Sequence, residues 1–332
     1  MIARSKIPRN TVITSEKFPV LGIRWFHRQL FGYTERGDVM YFDIHAHLYQ
    51  YPYPYPSTMG NGYLFPNEEQ LITLHDALGI DRAALMVLAN AEEYVPQSVG
   101  EIMDIALKSN GRFVPFCNVD PRLMGNHDHS PLDMLLDHFK NLGCKGVGEV
   151  LPRMEFDDPK MRNLYRCTQK VGLPLLFDMN SNPNRAYGLY DDPGLVKLHR
   201  CLDEFPDLIF IGHGPGFWAE FGTLRKPEFR FSYITYPIDG EGEICKLMRI
   251  YPNLWVDLSA GSGYTAISRD VEYTLAFFRE FSDRILFGTD ICFSDQIPPQ
   301  VAFLNDLREK QNLDETTFKK IAFRNAERLL GL

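Results

Sequence analysis

Short apolar runs alternate with helix-period segments from residue 39 to the end of the chain, eight times over. Runs suited to buried strands cover 39–45, 82–89, 112–118, 144–150, 173–178, 208–213, 253–258 and 284–290. Their almost unbroken apolar character is that of parallel strands covered on both faces. The spacing between them predicts helices near 67–79, 98–110, 131–142, 158–171, 193–205, 240–251, 269–282 and 299–310, then a last helix near 314–330. N-cap chemistry opens several: Asn67 ahead of Glu69 and Gln70, Ser98 with Glu101 three residues on, Asp314 before Glu315. Gly79, Gly111, Gly143 and Gly172 stand where the chain must turn into the next strand. Eight βα units in 332 residues specify an α/β chain of the (β/α)8, or TIM-barrel, type. It forms a single domain over 39–332, after an irregular N-terminal arm over 1–38. A doubly wound open sheet would call for a Gly-rich phosphate loop after an early strand, and none is present.

A barrel of this kind builds its active site from the C-terminal ends of its strands, so the residue that ends each run is the one to ask about. Strand one ends in His45 and His47. With one residue between them on an extended backbone, both rings project from one strand face and reach one cation. Strand four ends in Glu149, strand five in Asp178, strand six in His213 and strand eight in Asp290. Five strands thus bring six metal ligands or proton carriers to one mouth. The glycines on either side of His213 read as space left for a ligand. The chain also holds a control: His127 and His129 have the same spacing, but lie in a polar stretch, Gly125 to Pro131, that reads as a surface turn.

Two connections are longer than the rest. Residues 48–66 hold Tyr49, Tyr51, Tyr53, Tyr55 and Tyr63; residues 214–239 hold Phe217, Trp218, Phe221, Phe229, Phe231, Tyr233 and Tyr236. Both follow strand ends, which places them over the mouth as pocket walls, with Tyr49 and Trp218 as substrate contacts. Arg153 and Arg185, after strands four and five, are placed to clamp a substrate carboxylate.

A net charge of −8 with no Lys/Arg block argues against nucleic acid and anionic membrane, and leaves a small molecule as the partner. Six dispersed cysteines, an N-terminus without an apolar leader and no run of about 18 apolar residues read as a cytoplasmic protein with free thiols. Trp25, Phe26 and Phe31 in the arm either cover the barrel floor or reach a neighbouring subunit, so a homo-oligomer is kept open.

The strand Phe42-Asp43-Ile44-His45-Ala46-His47 is followed by Phe205-Pro206-Asp207 with Ile211-Gly212-His213-Gly214, by Leu286-Phe287-Gly288-Thr289-Asp290, and by Ile321-Ala322-Phe323-Arg324-Asn325-Ala326-Glu327-Arg328-Leu329-Leu330. Together these resemble the amidohydrolase superfamily, and within it the amidohydrolase-related branch of hydrolases, metal-dependent decarboxylases and hydratases. The resemblance implies that His45, His47 and Asp290 are metal ligands and that His213 is a ligand or polarises the substrate. It also implies that Asp290 carries the proton of the metal-bound water. Members commonly end strand five in a histidine, where this chain has Asp178. Either Asp178 is a carboxylate ligand, or Glu149 completes the coordination.

The expected cofactor is one divalent metal, zinc first. The carboxylates bring Mn²⁺ or Mg²⁺ into range, and a second cation bridged by Glu149 is left open. The expected function is hydrolysis of an amide, lactone or ester bond of a small molecule by metal-activated water, with Asp290 and His213 as the catalytic residues. Non-oxidative decarboxylation or hydration of an unsaturated or aromatic acid is the alternative, and a non-catalytic binding barrel the third class.

Overall fold

In the computed structural model, parallel strands stand where the apolar runs predict them: β1 (Tyr41–Ala46), β2 (Ile80–Leu85), β3 (Phe113–Pro115), β4 (Val147–Val150), β5 (Leu175–Asp178), β6 (Phe210–His213), β7 (Leu254–Asp257) and β8 (Ile285–Leu286). The structure describes residues 41–54, 63–92, 96–180, 187–231 and 233–332. The N-terminal arm, Arg185 and Tyr55 lie outside them.

Strands β1 to β3 form one parallel run, in chain order, and β4 to β8 another. Backbone hydrogen bonds cross both seams. Cys117 N donates to Gly146 O at 2.9 Å and Gly148 N to Cys117 O at 2.8 Å, joining β3 to β4. Ile44 N donates to Phe287 O at 2.9 Å and Asp290 N to His45 O at 2.8 Å, joining β1 to the end of β8. A sheet whose first and last strands pair in this way is a barrel.

Alternation along the strands sorts the core into two layers. Phe42, Ile44, Ala84, Met86, Val114, Phe116, Leu176, Ile211, Trp255 and Leu286 fill the lumen as one buried cluster. Their neighbours, among them Leu85, Phe113, Leu175, Phe177, Phe210 and Val256, pack outward beneath the helices. Ala326 and Leu330 of the C-terminal helix belong to the lumen cluster and close the barrel floor. Arg82 pairs with Glu327, and Arg328 lies 5.1 Å from the Trp255 ring centroid. The segment expected as one helix near 314–330 is broken by a wider π turn at Lys320–Arg324, where Asn325 Nδ2 donates to Ser282 O and Ile285 O.

The outer helices are α1 (Glu68–Leu78), α2 (Val99–Lys108), α3 (Leu132–Leu142), α4 (Pro159–Val171), α5 (Val196–Glu204), α6 (Glu243–Ile250), α7 (Val271–Glu280) and α8 (Gln300–Lys310), with a further helix at Ala260–Ser268 before α7. Asn67 and Gln70 close a reciprocal capping box on α1, both bonds 2.9 Å. Ser98 caps Gly100 N, but Glu101 accepts from Gln50 N at 2.8 Å instead of completing a box, so a tertiary partner overrides the local motif. All six cysteines are unbridged, and among the described residues no helix is long and apolar enough to cross a membrane.

Candidate metal centre

Strand β1 delivers its two imidazoles by breaking its own alternation. Phe42 and Ile44 face the lumen, so a regular strand would turn His45 outward. A register shift between Asp43 and Ala46 reverses the parity, and His45 and His47 meet with their Nε2 atoms 3.0 Å apart. Asp43 holds the irregular stretch: Oδ1 accepts from His45 N at 3.0 Å and from Thr289 N at 2.9 Å, and Oδ2 accepts from Thr289 Oγ1. One buried carboxylate therefore ties the strand carrying two imidazoles to the loop carrying Asp290. A second shift, between Val147 and Val150, lets Glu149 reach the centre although Gly148 already faces the lumen.

The donors converge. Glu149 Oε2 lies 3.4 Å from both His45 Nε2 and His47 Nε2. Asp290 Oδ1 lies 3.7 Å from His45 Nε2 and 3.4 Å from His47 Nε2. His213 Nε2 closes the far side, 3.8 Å from Glu149 Oε1 and 4.0 Å from Asp290 Oδ2. Two sets of ligand atoms lie within 4.8 Å of one another, His45 with Glu149 and His213, and His45 with His47 and Asp290.

A residue the sequence reasoning passed over organises this set. Asp257, at the tip of β7, is fully buried, and its Oδ2 faces His45 Nδ1 at 2.8 Å, His213 Nδ1 at 3.1 Å and Ser259 Oγ at 2.6 Å. The His213 and His45 imidazoles hold its pKa well below the usual carboxylate range in spite of burial, so it is an acceptor only. Both Nδ1 atoms must then donate, and both Nε2 lone pairs are aimed at the centre, the arrangement an imidazole ligand requires. The signal was available: strand seven carries a carboxylate at its tip as strands four, five and eight do.

Asp178 adjoins the centre without joining either ligand set. It is buried, and Oδ1 has no hydrogen-bond partner among the described residues. The glycines around His213 also serve neighbours and not a ligand. A Cβ at Gly212 would stand 2.4 Å from the Phe217 ring, and one at Gly214 1.9 Å from Asp178 Oδ1, with φ at +96°. The space expected for a ligand is filled by Phe217 and the Asp178 carboxyl.

The electrostatics follow from burial and proximity. Burial alone would lower the pKa of His45, but Glu149 and Asp290 outweigh it and raise it well above 6.5; His47 rises through the same two carboxylates, and His213 rises through Asp257 and then Glu149, against its burial and the charge of His45. Glu149 is held down to about 2, since His45, His47 and His213 together outweigh its burial. Burial and the charge of Glu149 push Asp178 up to about 7. Glu149, Asp257 and Asp290 thus carry negative charge into a buried space where their ion-pair partners, among the described residues, are imidazoles. Such a donor set fits a cation.

The remaining expectations divide. Tyr49 is buried and stacks on Phe65 with centroids 5.0 Å apart and planes 14° apart, and Phe65 in turn lies 5.3 Å from His47, so this pair roofs the centre. Trp218 is buried, and its Nε1 donates to Asp257 O at 3.0 Å, which makes it a brace for the β7 tip first. Arg153 is exposed on the loop after β4, and Arg185 lies outside the described residues. His127 and His129 sit exposed in a turn, as expected.

The amidohydrolase family model matches residues 42–332. No curated protein matches the chain in sequence. Among solved structures, 2,6-dihydroxybenzoate decarboxylase from Rhizobium is 18% identical with a TM-score of 0.52, covering 89% of this chain and 99% of its own. The 5-carboxyvanillate decarboxylase of Novosphingobium aromaticivorans, complexed with manganese and 4-hydroxy-3-methoxy-5-nitrobenzoic acid, is 15% identical at a TM-score of 0.59, covering 89% and 96%. A protein of Acinetobacter baumannii assigned as a 2-pyrone-4,6-dicarboxylic acid hydrolase is 14% identical at 0.54, covering 88% and 99%.

Proposed function

The chain belongs to the amidohydrolase family, and from that premise we propose that it is a metal-dependent hydrolase of an ester, lactone or amide bond in a small organic molecule. In this reading the catalytic domain is the segment 39–332. The observation that carries this reading is the position of Asp290. Its side chain keeps 19% of its surface exposed, against 3% for His47 and none for His45, yet its Oδ1 is 3.4 Å from His47 Nε2. One carboxylate therefore lies both against the imidazole pair and on the side that water reaches.

His45 and His47 through Nε2, with Glu149 and Asp290, would hold the cation, and His213 stands across from them. A divalent cation there supplies the positive charge that acidifies a water and polarises an acyl oxygen. Asp290 takes the proton of the attacking water as its oxygen bonds to the acyl carbon. It passes that proton to the departing oxygen or nitrogen as the bond to carbon breaks. His213, fixed by Asp257 and with its pKa raised, acts in its protonated form, in which Nε2–H donates to the acyl oxygen. Asp178, outside both ligand sets, is a carboxyl beside the substrate and not a ligand. Imidazoles mixed with carboxylates suit Mn²⁺ as well as Zn²⁺.

Decarboxylation of a planar acid is the second reading, favoured by the roof. Tyr49, Phe65, Leu88, Leu151 and Phe293 form one buried apolar cluster, the kind of cover that suits a flat ring and keeps water from a carbon being protonated.

The test begins with elemental analysis of the purified protein. A panel of lactones, esters and aromatic acids in H₂¹⁸O then separates the two reactions: hydrolysis puts one solvent oxygen into the product, whereas decarboxylation releases CO₂ and adds a solvent proton to carbon. CO₂ release with no oxygen incorporation rejects hydrolysis. A protein that neither carries nor takes up Mn²⁺ or Zn²⁺ rejects both and leaves a binding barrel.

A further inference from the structure

The chain at 187–190 runs between the tips of β4 and β5 and is bonded to both. Gly188 N donates to Leu151 O at 2.8 Å on the β4 side, while Leu189 N donates to Asp178 O at 2.9 Å and Asn180 N to Leu189 O at 2.8 Å on the β5 side. The closest approach is at Gly188. A Cβ there would stand 2.6 Å from Asn180 Cβ and 3.4 Å from Asp178 Oδ2, and φ is +96°, so it takes a glycine to bring the backbone this near to Asp178. Hydrogen bonds on two sides thus fix the point from which the Tyr187 side chain starts.

That side chain goes to the roof. Tyr187 is partly buried and packs against the cluster of Tyr49, Phe65, Leu88, Leu151 and Phe293, whose Phe65 lies over His47. Burial pushes its pKa well above 10, and Asp178, Glu149, Cys292 and Asp290 push it the same way. These groups come from β5, from β4 and from the loop after β8. A phenol that feels all of them stands at the mouth beside the centre, and it stays a neutral donor.

The hydroxyl of Tyr187 makes no hydrogen bond among the described residues. Tyr41, Tyr165 and Tyr273 behave otherwise: their hydroxyls donate to Asn305 Oδ1 at 3.0 Å, Phe156 O at 3.0 Å and Phe221 O at 3.1 Å. A tyrosine hydroxyl drawn into a protein usually finds a partner, because leaving it without one forfeits its bond to water. At Tyr187 the donor is held ready by the backbone, next to the centre, with its bond unmade.

We propose that Tyr187 is a substrate contact: its hydroxyl donates a hydrogen bond to an oxygen of the molecule held at the centre, and its ring walls that molecule on the β4–β5 side. That the molecule is an acyl compound rests on the hydrolase reading; the donated hydrogen bond does not. Binding tests it apart from turnover. Benzohydroxamate, whose two oxygens chelate a divalent cation, is titrated by calorimetry into the Zn²⁺-loaded full-length protein, with the chelated protein as blank. Wild type is expected to bind saturably. Tyr187→Phe keeps the ring on the roof and removes the donor, so it should bind about tenfold more weakly while keeping its metal. Its thermal midpoint should match wild type, because the hydroxyl has no internal bond to lose, whereas loss of a structural hydroxyl would lower the midpoint. Tyr187→Ala, which opens the wall as well, should bind more weakly still. Circular dichroism confirms that each variant is folded. The proposal is overturned if the loaded wild type does not bind the hydroxamate, if Tyr187→Phe binds it equally well, or if weaker binding is matched by loss of metal. Weakened binding in Tyr187→Phe beside a wild type that hydrolyses nothing keeps the contact and removes the hydrolase reading; hydrolysis by wild type with binding indifferent to the hydroxyl does the reverse.

Discussion

The chain carries the same three-residue spacing twice, and the two copies have opposite fates. His45 and His47 are buried, with Nε2 atoms 3.0 Å apart and two carboxylates within 3.4 Å of His47 Nε2. His127 and His129 lie in an exposed turn, their rings stacked at 5.0 Å, and the acid paired with them among the described residues is the intervening Asp128, 2.8 Å from His129 Nδ1. What differs is what the fold brings from elsewhere. At the first pair, Asp257 fixes the His45 tautomer from β7, and Asp43 ties the strand to the Asp290 loop. At the second, among the described residues, nothing arrives from another strand. Spacing makes two imidazoles available to one ion, but long-range partners make them ligands.

The largest effect that tests this contrast comes from removing a donor at the first pair. His45→Ala or Asp290→Asn should take away bound metal and lower activity by more than the ~10–100-fold that loss of an outer hydrogen-bond partner costs, with the far-ultraviolet circular dichroism unchanged. Metal content near wild type in either variant would mean that the ion, if any, sits elsewhere. Asp257→Asn comes next. It removes the charge that orders both Nδ1 protons while leaving every proposed ligand in place, so metal affinity should fall about 10–100-fold. Affinity unchanged by a competition assay would show that the two rings orient themselves.

How far the site was legible follows from the range of each signal. A buried parallel strand is a continuous apolar run, so all eight strands stand out in the letters, and their tips point to His45, His47, Glu149, His213 and Asp290. Asp257 stands one residue inside the seventh run just as Glu149 stands inside the fourth, and what marks it out is its contact with Nδ1 of both His45 and His213, which come from β1 and β6. The parity reversal in β1 depends on pairing with β2 and on the Asp43 clamp across the β8 seam, and no single strand contains that information. The glycines beside His213 were read as room for a ligand because sequence does not say that Phe217 and Asp178 fold back against them. The barrel floor is likewise a tertiary fact: Ala326 and Leu330 fill it from the far end of the chain.

Acid and chelator sharpen the contrast at intermediate size, because only the first pair has strong charge partners. With metal chelated, the raised imidazoles stabilise the fold fully below pH 6.5, and that contribution is lost as pH rises through their elevated values. Glu149, lowered from 4.5 to about 2, contributes above pH 4.5 and is lost as pH falls. The chelated protein therefore draws most from this cluster between those two values. A cation requires neutral imidazoles, so the stabilisation by added Mn²⁺ or Zn²⁺ should grow with pH, reaching about 2.7 kcal/mol at a hundred times its dissociation constant. Thermal midpoints with and without metal at pH 6 and pH 8 measure this; an equal gap at the two values would mean that these imidazoles do not bind the ion.

The smallest effect belongs to the second pair, and its smallness is the point. His127→Ala with His129→Ala removes the other His-x-His of the chain from a turn where Ser130 Oγ bonds to backbone at Met124 and His127, so the turn keeps its own hydrogen bonds. Both rings are exposed, and no core contact is lost. The thermal midpoint should stay within about 2 °C of wild type, with metal content and activity unchanged. Loss of metal in this double variant would overturn the contrast from its other side, since it would show that spacing alone, on a surface turn with one neighbouring carboxylate, is enough to hold an ion.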